Sequence, residues 1–158
     1  MGCTRQQLNA FFDDLLTPQR FKDYCPNGLQ VEGKADVRHL VSGVTASQAL
    51  IEAARDRGAD AILVHHGYFW HSEPPCITGM KAARVRALIQ ADINLFAYHL
   101  PLDCHPLHGN NAALGRLMGI EAPEALDPED PGTPVFRGHL AESLTVQGLA
   151  DRLSVALD

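Results

Sequence analysis

Leu8, Phe11, Phe12, Leu15 and Leu16 recur at i, i+3, i+4, i+7 and i+8, which puts them on one face of a helix. Ahead of them, Thr4-Arg5-Gln6-Gln7 fits a capping box, in which hydroxyl and amide side chains satisfy the helix's first free N–H groups. Pro18 ends the stretch. Asn27-Gly28, inside YCPNGLQVEG (residues 24–33), signals a turn. The short apolar run HLVSGV, residues 39–44, predicts a strand. Thr45-Ala46-Ser47-Gln48 reads as a second capping box, followed by a helix face of Ala46, Ala49, Leu50, Ala53 and Ala54 and a stop at Gly58. DAILVHH, residues 60–66, has the apolar continuity of a strand buried on both faces. Met80, Ala83, Ala87, Leu88 and Ala91 mark another helix, and INLFAYH, residues 93–99, another strand. Asn110 or Asn111 can cap a helix carrying Ala113, Leu114, Leu117 and Met118.

Strand–helix alternation of this kind predicts an α/β fold: three layers, with a mainly parallel sheet and flanking helices. Residues 1–120 are expected to form this domain. EAPEALDPEDPGTP, residues 121–134, carries four prolines and five acidic residues and reads as a linker. Residues 135–158 then look like the start of a second α/β segment, a strand in VFRGHLAESL and a helix through Val146, Leu149, Ala150, Leu153 and Leu157. One strand and one helix bury little surface, so the segment is expected to be incomplete and its apolar helix face to seek another surface.

Composition narrows the function. The chain has 158 residues, is 46% hydrophobic and 20% charged, and carries a formal charge of −6. Its Lys and Arg residues form no basic stripe, which argues against a nucleic-acid footprint. No apolar run reaches membrane-spanning length, and the N-terminus lacks a signal-peptide core. Cys3, Cys25, Cys76 and Cys104 form no Cys-x-x-Cys pair. A reduced, cytoplasmic protein is the expectation.

Five of the eight histidines fall between residues 65 and 105. His65 and His66 end one predicted strand; His99, Asp103, His105 and His108 follow the next. Parallel strands joined by a crossover bring these groups to one sheet edge, where open α/β sheets bind ligands. Imidazole with carboxylate suits zinc, iron or manganese. Adjacent strand residues point to opposite faces, so His65 and His66 are expected to serve two neighbouring divalent ions, with Asp103 bridging, more readily than to chelate one. Against this stands the plain alternative, two polar residues where a strand leaves the core. Tyr68, Phe69 and Trp70 are expected to cover the sheet end, His39 and His139 to lie on the surface, and His71 and His108 to support the site from behind. Cys104 beside Asp103 raises a thiol nucleophile as a minor alternative.

YCPNGLQVEG, VSGVTASQALIEAA, GADAILVHHGYFW and HLPLDCHPLHGNNAALG resemble, in order, successive signatures of the Nif-three-like family, also labelled GTP cyclohydrolase I type 2 homologues. The resemblance implies a dinuclear metal centre in an α/β protein that assembles as a toroidal homohexamer. It places metal ligands at His65, His66 and Asp103 and leaves His99 as a candidate catalytic group, supporting a ligand or transferring a proton. The family's remaining ligands, a histidine and a glutamate, lie in a C-terminal region that this sequence does not reach, and His139 and Glu142 do not match them in spacing. The implied activity is metal-dependent hydrolysis of a small nucleotide-like or cyclic-amide substrate; the alternative is a non-catalytic metal-binding ring acting as scaffold or regulator.

Overall fold

The computed structural model describes residues 2–127, 129–130 and 133–157. The chain forms two compact units, Met1–His99 and Leu100–Asp158.

In the first unit, β1 (Cys3–Thr4) leads into α1 (Arg5–Leu16). The capping box is present: the Gln7 N–H donates to the Thr4 hydroxyl at 3.2 Å, and the Thr4 N–H to the Gln7 amide oxygen at 2.9 Å. β2 (Gly28–Val31), β3 (Asp36–Val37) and β4 (Leu40–Thr45) follow, then α2 (Gln48–Asp56), β5 (Ala61–His66), α3 (Gly79–Ala91) and β6 (Asn94–Ala97). The main sheet has the order β2-β6-β5-β4. β4, β5 and β6 run parallel, joined by α2 and α3, while β2 pairs antiparallel with β6. This is the expected mainly parallel α/β sheet with flanking helices. β1 and β3 form a separate two-stranded ribbon.

Alternation along the strands sorts the core into two faces. Ile62, Val64, Leu95 and Ala97 join Ile51 and Ala54 of α2 and Val85 and Leu88 of α3 in one buried cluster. On the other face, Phe12 of α1 meets Phe96 and Tyr98 edge-on, with ring centroids 5.4 and 5.7 Å apart. The Tyr98 hydroxyl donates to Asp13 at 2.9 Å, and burial pushes its ionisation far above the usual tyrosine range. Of the stripe expected on α3, only Leu88 is buried; Met80 and Ala83 are exposed and Val85 takes the inward place.

Two expected caps shift. Ser47, not Thr45, caps α2: the Leu50 N–H donates to its hydroxyl at 3.2 Å, because β4 still holds Thr45 in pairing with His66. In the second unit, Gly109 precedes α5 (Asn110–Met118) at the N-cap. A Cβ there would lie 2.6 Å from the Leu102 carbonyl oxygen and 2.8 Å from that of Asp103, so the tight approach requires glycine and neither asparagine caps the helix.

The second unit contains α4 (Leu100–Asp103), α5, β7 (Ile120–Ala125), β8 (Phe136–Leu140) and α6 (Val146–Leu157). The segment expected to be a linker from residue 121 instead begins as β7, paired antiparallel with β8. Its register shifts between Glu121 and Glu124, so Pro123 sits at a bulge, where a proline does not interrupt the ladder. Pro128, Pro131 and Gly132 of that segment lie outside the described residues. The helix expected to close the first domain, α5, belongs to the second unit, whose compact boundary falls at residue 99 rather than 120. No residue of α6 is buried, and Val146, Val155 and Leu157 on it are exposed.

Candidate metal centre

β5 and β6 end side by side, Val64 opposite Ala97. Beyond that pair β5 is held on one side only, by β4, through Thr45 opposite His66. There the rings of His65 and His66 lie 4.4 Å apart, tilted by 46°. His99, two residues past β6, stands 4.9 Å from the His65 ring and 5.8 Å from that of His66. One ligand atom from each of the three lies within 4.8 Å of the others. The adjacent histidines therefore lie close together, a spacing compatible with one ion or with two neighbouring ions, and His99 joins them.

Hydrogen bonding fixes the two flanking imidazoles. His65 Nδ1 lies 3.2 Å from the Tyr98 carbonyl oxygen. A carbonyl only accepts, so Nδ1 carries the proton and Nε2 the lone pair. His99 Nδ1 lies 2.7 Å from an Asp23 carboxylate oxygen and is protonated for the same reason. The Asp23 side chain is only 2% exposed. A ring nitrogen held by a carbonyl or carboxylate, with the opposite nitrogen left as donor, is how proteins orient histidines toward metals. His66 Nδ1 meets the Thr45 hydroxyl at 3.2 Å.

The supports come from YCPNGLQ, which the sequence offered mainly as a turn. The Asn27 side chain donates to Asp23 at 2.9 Å and accepts the His99 N–H at 2.7 Å. Gln30 accepts the Tyr68 N–H at 2.7 Å and donates to the Tyr68 carbonyl at 3.1 Å, clamping the segment after His66 to β2. A Cβ at Gly67 would run into the Gln30 amide and Ala97, so this close approach requires glycine. Phe69 follows with φ 66°, a left-handed conformation costly for a bulky residue, of the kind that clusters at functional sites. The signal for these supports was available in polar residues four apart, Asp23 and Asn27, on either side of Pro26.

The aromatic trio divides its roles. Tyr68 is buried in the core cluster, its hydroxyl donates to the Ala46 carbonyl at 2.7 Å, and burial pushes its ionisation up to about 12. Phe69 packs against the same core. Trp70 turns its edge to His99, centroids 5.0 Å apart, and lies 5.9 Å from His66. Asp23, Cys25 and His99 form a second group with donor atoms within 4.8 Å of one another. The Cys25 thiol is buried, which, with the neighbouring Asp23 charge, pushes it up to about 12 and keeps it protonated.

Asp103 lies in the second unit, half-buried at the end of α4, accepting from the Asn110 side chain at 2.7 Å. Cys104 follows it, half-buried. His105 and His108 stack 5.0 Å apart. His105 Nδ1 accepts the N–H groups of Leu107 and His108, at 3.1 and 3.0 Å, and burial with the nearby His108 charge lowers its protonation range. His39, His71 and His139 are exposed.

A family model, Duf34/NIF3 (NGG1p interacting factor 3), matches residues 3–158. The chain belongs to this family. It is 55% identical over 152 residues to a Vibrio cholerae protein named GTP cyclohydrolase 1 type 2 homolog, covering 96% of this chain and 60% of that protein. The Escherichia coli K12 protein of the same name is 51% identical over 125 residues, 79% of this chain and 51% of that one. Among solved structures, the protein ybgI, described as of unknown function, superposes with a TM-score of 0.89 at 45% identity, over 98% of this chain and 60% of that one. TTHA1606 from Thermus thermophilus gives 0.85 at 37%, over 96% and 60%. The chain thus spans about 60% of the length of these Vibrio, ybgI and Thermus relatives. Among the described residues, no helix is long and apolar enough to cross a membrane.

Proposed function

We propose that this family member binds divalent metal at His65, His66 and Asp103, and that it is a metal-dependent hydrolase acting on a small nucleotide-like or cyclic-amide substrate. The observation that carries the reading is the convergence of three imidazoles with two Nδ1–H groups already committed to protein acceptors. The donor set fits the group: imidazole nitrogens suit zinc, iron or manganese, and the Asp23 carboxylate behind His99 holds the orientation of that ring. A divalent ion held by these residues would supply Lewis acidity, for polarising a substrate oxygen and acidifying water.

The chain's own residues do the rest. His65 and His66 present nitrogen donors from a rigid strand end. Asp103 is assigned on the family resemblance, which also implies the second ion and a homohexameric ring. His99, held by Asp23, either completes the nitrogen set or accepts a proton at Nε2 and hands it to a leaving group. The cytoplasm suits the family resemblance and the free cysteines.

The test is elemental analysis of the purified protein beside His65→Ala/His66→Ala, followed by hydrolysis assays over a panel of cyclic amides and nucleotides. Bound metal lost in the double variant, with turnover that tracks metal content, is the expected result. Metal retained in the double variant refutes the site. Metal bound without turnover favours the scaffold alternative.

A further inference from the structure

One histidine of the candidate metal centre, His66, also lines a cavity of about 530 Å³, within the range that holds small-molecule ligands. Thr45, His66, Trp70, Met80, Lys81 and Arg84 are among the residues that line it. The two cations there differ. The Lys81 ammonium is committed: it lies 3.0 Å from the Glu73 carboxylate, donates to the Pro74 carbonyl at 3.0 Å, and sits 5.8 Å from the centre of the Phe69 ring. Glu73 also lines the cavity, so its charge and that of Lys81 offset each other. Arg84 has no such counterpart among the described residues. Its Nε is buried there with no hydrogen-bond partner.

A buried guanidinium donor left unpaired is costly, by more than a neutral group would be. Its fork of N–H groups matches the oxygens of a phosphate or carboxylate. Trp70 is the other marked lining residue, an indole whose N–H is turned to the Gly67 carbonyl at 3.3 Å and whose ring lies 5.9 Å from that of His66 and 5.0 Å from that of His99. Such a ring offers a flat apolar surface to a planar ligand.

From these observations we infer that the cavity binds a flat, anionic small molecule: its phosphate or carboxylate pairs with Arg84, its ring lies against Trp70, and its reacting group is presented toward His66. This rests on the metal-hydrolase reading and names the substrate class for the same site. Arg84 and Trp70 are then binding and specificity residues, acting on the part of the substrate that does not react.

Trp70 is the single tryptophan of the chain, so its fluorescence reports this cavity alone. The experiment titrates the full chain, once with chelator and once with zinc, using adenosine and guanosine 5′-monophosphates, the two nucleosides, and inorganic phosphate. Saturable changes with the monophosphates are expected, with nucleosides about 10- to 100-fold weaker, the size of a charge-assisted contact. Arg84→Gln should erase that discrimination, and Arg84→Lys should keep part of it; both should retain zinc. Equal binding of nucleotide and nucleoside by the unaltered protein overturns the proposal without recourse to a variant. So does the absence of a saturable response to every probe, or discrimination that survives in Arg84→Gln. A protein that takes no zinc but discriminates refutes the metal reading and not the cavity; one that takes zinc and fails to discriminate does the reverse.

Discussion

The two ends of the parallel sheet use polar residues in opposite ways. At the amino-terminal end, Asn94 of β6 is wholly buried and fully paired: it accepts the Gly33 N–H at 2.8 Å and donates to the carbonyls of Lys34 and Asp60 at 2.9 and 3.0 Å. Beside it, Asp60 accepts from Lys34 at 2.8 Å and from the N–H groups of Arg38 and His39 at 2.9 and 3.1 Å. At the carboxyl-terminal end of the same strands, three half-buried histidines bring one ligand atom each within 4.8 Å of the others. Closed pairing marks a polar group that holds a fold. Ligand atoms gathered this closely mark a group that can hold a ligand.

Four changes test this contrast, from the largest effect to the smallest. His65→Ala/His66→Ala should weaken zinc binding by more than about 1,000-fold, roughly 4 kcal/mol, in calorimetric titration, while leaving denaturant stability within about 1 kcal/mol of the parent. A large loss of stability would make the histidines structural. Asn94→Leu should do the reverse. It strands an N–H and two carbonyls, at a cost of about 3 kcal/mol in urea unfolding, with zinc affinity kept once folded. Asp23→Asn lies between the two, since it leaves the donor set intact and loosens only its orientation. Zinc affinity should fall about 10- to 100-fold; unchanged affinity would remove Asp23 from the site.

The smallest effect concerns pH. The Lys34 ammonium beside Asp60, with two backbone N–H groups, holds the Asp60 carboxyl below the usual carboxylate range. A lowered folded-state value means that the stabilisation is fully present above the unfolded value, about 3.9, and is lost as pH falls through the folded one. Asp60→Asn should therefore cost about 1 kcal/mol at neutral pH, and the difference between parent and variant should shrink in unfolding curves below about pH 4. A difference that persists at about pH 2, well below the ordinary carboxylate range, would mean that the carboxylate charge is not what matters.

How legible all this was in the sequence depended on how local the cause was. The α1 cap could be read because Thr4 and Gln7 act on each other across three residues. The parallel sheet could be read because β4, β5 and β6 alternate with helices, and that order alone sets the histidines at a sheet edge. Ser47 lost to Thr45 in the reading because nothing local shows that β4 runs one residue further. β2 was missed because four residues beginning with a glycine at φ 113° carry no pattern until β6 arrives to pair with them. Asp23, Asn27 and Gln30 were missed for the same reason: their partners lie 76, 72 and 38 residues away. Arg84 left no trace at all, since an unpaired donor is a property of its surroundings.

That separation also sets a clock. β2 and the YCPNGLQ segment leave the ribosome well before β6, and Asn27 waits for a partner 72 residues downstream. At roughly 5–20 residues per second, synthesis alone keeps them apart for several seconds. During that interval β4 and β5 can already pair around α2, while β2 remains an unpaired strand with Cys25 still exposed beside it. The segment that finally orients His99 is thus made early and seated late, and the nascent chain can pair β4 with β5 before it completes its sheet or its site.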